Sequence, residues 1–246
     1  SHFWSLSSAA SGAQPGIFPT MSAAEGGGNI QIDDYVITPA MDCEGAGVME
    51  VGTLAHEMGH GLGLPDLYAV GGQWAAIGRW GLMGSGSWGC SGQSPAKPCH
   101  MIAWTKEALG WVDVTTLDRD TDHGVLTLQP VETGNQVFRV DAGDGSGDYF
   151  LIENRQAIGS DSDVPAPGLL IWRIDAERVT ETWTSNSVNS NRFRMGVWLQ
   201  QADGLDHLAR PGLGRGDAGD PFPGSSGNDA FHASTDPAAM SHLASA

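Results

Sequence analysis

The chain is predicted to be an α+β protein, with a helix-bearing part over residues 1–112 and a strand-rich part over residues 113–246. Three observations predict this. Apolar residues recur at three- and four-residue spacing over residues 48–63, the period of a helix face. A second helical pattern covers residues 98–112, with Pro98 near its start and Gly110 at its stop. After Val112 the pattern becomes short runs rich in Val, Ile, Leu and Phe, separated by Gly, Asp and Pro, which reads as antiparallel β, as a sandwich or an extended sheet.

Residues 1–29 are rich in Ser, Ala and Gly and read as irregular. The stretch 29–40 alternates apolar and polar residues and reads as one strand ending before Pro39. In the first helix, Val51, Leu54, Ala55, Met58 and Leu62 form the apolar face. Gly52, Gly59 and Gly61 each weaken a helix by about 1 kcal/mol relative to Ala. Close approach of another segment would justify them. Strands are expected at 124–131, 135–142, 148–156, 168–176 and 194–202. Residues 65–100 and 203–246 read as loops.

The chain has 12 Lys+Arg against 29 Asp+Glu, a net charge of −17. That balance excludes nucleic acid, which needs basic patches to neutralise phosphates, and disfavours anionic membranes. No apolar run is long enough to span a bilayer. Of the three cysteines, Cys90 and Cys99 bracket a Pro, Ser and Gly loop, where a local disulfide is expected in an exported protein. Cys43 is then left over. Asp141, Asp144 and Asp148 read as a solvated hairpin loop.

The chemistry concentrates in AHEMGHGLGLPDLY, residues 55–68. His56 and His60 are four apart, so on a helix they lie about 40° apart and converge on one cation. Zinc in catalytic sites takes three protein ligands and leaves one position open. Glu57 lies about 100° from His56 around the helix, beside the metal and placed to take a proton from water. Gly63 adopts the positive φ that ends the helix sharply, Pro65 forbids its continuation, and the chain returns Asp66 toward the histidines. Glu107 is the alternative third ligand, as in thermolysin-like schemes. His100 reads as a surface or capping residue.

This stretch resembles the active-site signature of the M6 peptidases, the immune inhibitor A-like metalloproteases related to the metzincins. The pattern HExxHxxGxxD, with Asp as third ligand, is matched at His56, Glu57, His60, Gly63 and Asp66. WGLMGSGSW at 80–88 resembles the Met-turn, with Met83 as the methionine beneath the metal. SHFWSLSS, YFLIENRQ, PGLLIWRID and GRGDAGDPFPG resemble further M6 segments in order. The resemblance implies a zincin-like catalytic portion over residues 1–112, matching the C-terminal part of that domain, and a β-rich region after it. It implies a secreted zinc endopeptidase acting on protein or peptide substrates, expected to be monomeric. Calcium is a further expected ion, at Asp217 and Asp220 in the GRGDAGDPFPG turn. Many metzincins carry Tyr two residues after the Met-turn methionine; here Ser85 stands there, and Tyr35, Tyr68 and Tyr149 have no assigned role. The rival reading is a non-catalytic binding module with a residual zinc site.

Overall fold

The structure, a computed structural model, describes residues 4–6, 18–32, 35–37, 40–41 and 47–242; Cys43 lies outside them. The first part holds two small antiparallel sheets. Strand β1 (Trp4–Leu6) pairs with β4 (Tyr35–Ile37), and β2 (Phe18–Ala23) pairs with β3 (Asn29–Ile32). The single strand expected at 29–40 is therefore two strands with different partners.

Helix α1 (Val51–Gly61) carries the HExxH stretch. Its packing is the reverse of the face suggested by spacing. Val51 and Met58 are 50% and 54% exposed, and Leu54 and Leu62 are exposed too, whereas Gly52, His56, Glu57 and Gly59 are buried. The cause is close approach. A Cβ on Gly52 would lie 2.1 Å from the Ser87 carbonyl oxygen, and one on Gly59 would lie 2.4 Å from Met83 Sδ. The glycine face admits the 83–95 loop, and that contact outweighs the aliphatic stripe.

Helix α2 (Ala103–Ala108) is shorter than the predicted 98–112. Residues before it are tied elsewhere: the His100 N–H donates to Asp161 Oδ1 at 2.7 Å. Gly110, at φ +68°, follows the helix end. Cys90 and Cys99 are joined by a disulfide.

The second part is built on one five-stranded sheet in sequential order. Its strands are β5 (Asp113–Leu117), β6 (Gln136–Asp141), β7 (Tyr149–Arg155), β8 (Gly168–Ile174) and β9 (Val197–Gln200). The first pair is parallel and the rest antiparallel, so the sheet is mixed. The expected strand at 124–131 is absent. Val125 is fully exposed, and only Pro130 bridges to Asn154. The edge is β5, a run of polar residues that alternation did not reveal. A short helix, α3 (Ala176–Thr182), was also unpredicted; Asp175 caps it by accepting the Arg178 N–H at 2.8 Å.

The architecture is a layered α+β arrangement with a single sheet in place of a sandwich. One sheet face presents Val137, Leu151, Leu170, Trp172, Ile174 and Leu199 to Leu64, Leu67, Ile77, Trp80, Met83 and Trp104 of the first part. On the other face, Phe150 and Ile171 meet Ala202 and Phe222 from the irregular C-terminal segment. Each fully buried large side chain contributes about 1.5–3 kcal/mol of transfer free energy, so the main core binds both parts of the chain.

That core encloses a charged cluster. Arg155 is fully buried; its Nε donates to Asp161 Oδ2 at 2.7 Å and its Nη1 to the Trp80 carbonyl at 2.9 Å. Glu153 accepts from Trp172 Nε1 at 2.8 Å, and Glu132 lies 3.5 Å from Arg155. Lys106 is also buried, and the Glu153 carboxylate partly offsets the burial that lowers its pKa. Two cations thus meet three carboxyls. Burial, with a hydrogen bond to Asp161, pushes Glu132 up to about 7, outweighing the Gln156 N–H and Arg155. A proton there balances the cluster at two positive and two negative charges.

Because the folded carboxyl of Glu132 holds its proton more tightly than the unfolded one, its stabilising contribution is complete below the unfolded pKa. It is lost as pH rises through about 7. The melting midpoint of the wild type, relative to Glu132→Gln, is expected to fall between pH 5 and 7 and to level off above. Parallel midpoint-versus-pH curves would contradict this assignment.

Candidate metal centre

Helix α1 and the loop after it bring the candidate ligands together. Helix α1 supplies His56 and His60. Gly63, at φ +92°, turns the chain back, and Asp66 arrives at both rings. Asp66 Oδ1 lies 3.1 Å from His56 Nε2 and 3.2 Å from His60 Nε2.

The other ring nitrogens fix what the Nε2 atoms present. His56 Nδ1 is 2.8 Å from the Leu82 carbonyl oxygen, and His60 Nδ1 is 2.8 Å from that of Leu64. A carbonyl only accepts, so each Nδ1 carries a hydrogen, and the Nε2 of each ring is the atom that faces Asp66. Two ring nitrogens and a carboxylate oxygen then converge, and such a trio requires a cation at its centre. Without a metal a proton serves. Burial disfavours charge on His60, but its hydrogen bond and Coulomb attraction to Asp66 prevail and raise its pKa. Burial likewise opposes the Asp66 charge, and the two histidines outweigh it, holding that carboxyl well below the usual range.

Asp66 is held from the far side by a residue 120 positions away. The Asn186 amide donates from Nδ2 to Asp66 Oδ2 at 2.7 Å, and its Oδ1 accepts the Asp66 N–H at 2.6 Å. Asn186 follows α3 in a left-handed conformation, φ +51°. Its neighbours grip the same loop: Trp183 Nε1 donates to the Gly63 carbonyl at 2.9 Å, and Asn189 Nδ2 to that of Leu67 at 3.0 Å. Sequence reasoning missed all three. Only the turn-forming character of the Ser/Asn-rich stretch hinted at Asn186.

Met83 is buried beneath the helix, where Gly59 leaves room for its sulfur, and its carbonyl accepts the Leu67 N–H at 2.8 Å. Glu57 is buried on α1 and lines a cleft of about 730 Å³ that His56 also lines. Ser85 and Tyr68 line it as well. The Tyr68 ring stacks on His56 at a centroid distance of 6.2 Å. Burial, then the Asp66 charge, raises its phenol pKa, so the hydroxyl stays a neutral donor.

The remaining candidates lie elsewhere. Glu107 accepts the Tyr149 hydroxyl at 2.8 Å and pairs with Arg139, so it is committed to a polar cluster with Tyr149 and Arg139. His100 is tied to Asp161 through its backbone. Asp217 and Asp220 gather with Asp203, with ligand atoms within 4.8 Å of one another. Trp80 Nε1 donates to Asp220 Oδ2 at 2.7 Å, while the buried Asp220 Oδ1 has no hydrogen-bond partner among the described residues.

A His–Glu–x–x–His helix thus brings two imidazoles and a carboxylate together beside an open cleft, a group that could hold a metal ion. Residues 1–112, just under half of the chain, match the family model described as immune inhibitor A peptidase M6, catalytic domain. No curated protein matches the chain.

Proposed function

We propose that the chain is an exported zinc endopeptidase. The reading rests chiefly on one observation: two Nε2 atoms and Asp66 Oδ1 converge in a buried site open to a cleft. Two imidazoles and a carboxylate suit zinc, and leaving one position open is the catalytic pattern. Bound there, zinc supplies Lewis acidity toward the scissile carbonyl and lowers the pKa of water. His56, His60 and Asp66 would hold it, with Leu82, Leu64 and Asn186 orienting them. Glu57 takes the proton from the attacking water and delivers it to the leaving amine. The Cys90–Cys99 disulfide is consistent with export to an oxidising compartment. The cleft beside the ligands, with Glu57 on its wall, favours catalysis over a residual or structural site.

Glu57→Gln is expected to leave metal content unchanged and lower kcat on a casein-derived peptide about 10²- to 10⁴-fold. Chelator-sensitive hydrolysis at the wild-type rate by that variant would sink the mechanism.

We also read Asp203, Asp217 and Asp220 as a calcium site, since a hard cation would satisfy the orphaned Asp220 Oδ1. Calcium is expected to raise the melting midpoint of the wild type and to do so less for Asp203→Asn. Equal shifts would remove the assignment.

A further inference from the structure

The charge of the cleft contrasts with that of the chain. The protein carries a net charge of −17 with only 12 Lys+Arg. Among the residues lining the cleft the one fixed cation is Arg215, and the one carboxylate is Glu57. Most basic side chains elsewhere are engaged: Arg155 by Asp161, Arg194 by Asp175 and Glu177, Arg139 by Asp141. The Arg215 guanidinium makes no hydrogen bond, ion pair or ring contact among the described residues.

The backbone of Arg215 is nonetheless pinned. Its carbonyl accepts the Arg79 N–H at 2.7 Å. Gly78 packs so closely that a Cβ there would meet the same carbonyl oxygen at 2.2 Å. On the other side, Gly216 at φ +108° passes against Trp80 Nε1. The fixed backbone roots an exposed side chain at the cleft wall, and none of these contacts uses that side chain.

We propose that Arg215 is a specificity residue that binds a substrate carboxylate in the peptidase cleft, so that acidic peptides are preferred. The inference rests on the peptidase reading above. The guanidinium stays charged at every working pH and presents a planar fork that matches a carboxylate in two parallel hydrogen bonds. The carboxylate comes from an Asp or Glu side chain near the scissile bond or from a peptide C-terminus.

The test uses fluorogenic peptides in which one Glu/Gln pair is moved along the sequence, each made as free acid and as C-terminal amide. The wild type is expected to show a higher kcat/KM for Glu than for Gln at one position, by about fivefold, the upper end for an exposed ion pair. The ratio should shrink with added salt. It should vanish in Arg215→Gln and invert in Arg215→Glu. A free-acid preference with no positional Glu effect would assign the C-terminal carboxylate as the bound group. An unchanged ratio in Arg215→Gln, or no carboxylate preference in the wild type, overturns the proposal. Calorimetric binding of the same peptides to Glu57→Gln, with and without Arg215→Gln, reads the preference without turnover. Binding discrimination that depends on Arg215, with no hydrolysis by the wild type, would overturn the peptidase reading and leave Arg215 as a carboxylate-binding residue of this cleft.

Discussion

The candidate centre depends on holding a carboxylate against two imidazoles. Asp66 leaves α1 after a left-handed glycine, on a loop with little regular structure of its own. Left alone, such a loop would sample many positions, and ordering each residue costs about 1–2 kcal/mol of backbone entropy. Asn186 supplies the constraint by reciprocal hydrogen bonds to the Asp66 side chain and backbone. Trp183 and Asn189 bind the same loop at Gly63 and Leu67. Asp66 is thus positioned by the strand-rich part of the chain, although the motif lies wholly in the first part.

Packing explains why the grip is firm. The sheet face carrying Leu151, Leu170 and Trp172 shares one core with Leu67, Trp80 and Met83. Arg155 on β7 reaches the Trp80 carbonyl, immediately before the Met83 loop. The Met83 carbonyl holds Leu67, and the Leu82 carbonyl orients His56. A continuous set of buried contacts runs from the sheet through the loop beneath the helix to the ligands. The family match ends at residue 112, but the core does not.

What the sequence revealed and what it hid divide along physical lines. The histidine spacing, the helix stop at Gly63 and the return of Asp66 to the two rings are local, and they were readable from the chain alone. Strands β6 to β9 were also readable, because their long apolar runs are bounded by turns. The polar edge strand β5 was not, since its five residues are mostly polar and exposed and carry no apolar run to detect. The inward face of α1 was misread because Gly52 and Gly59 act through what they admit. Asn186 escaped notice because its role exists only across 120 residues of sequence separation.

The most direct test of this interlocked centre is zinc affinity, measured by competition with a fluorescent chelator for the wild type and for Asn186→Ala. The wild type should bind one zinc per chain. Asn186→Ala should keep its circular dichroism spectrum and bind zinc about 10- to 100-fold more weakly, as expected when a partner that orients a ligand is lost. A wild-type chain that binds no zinc, or equal affinities in the two proteins, would contradict the account.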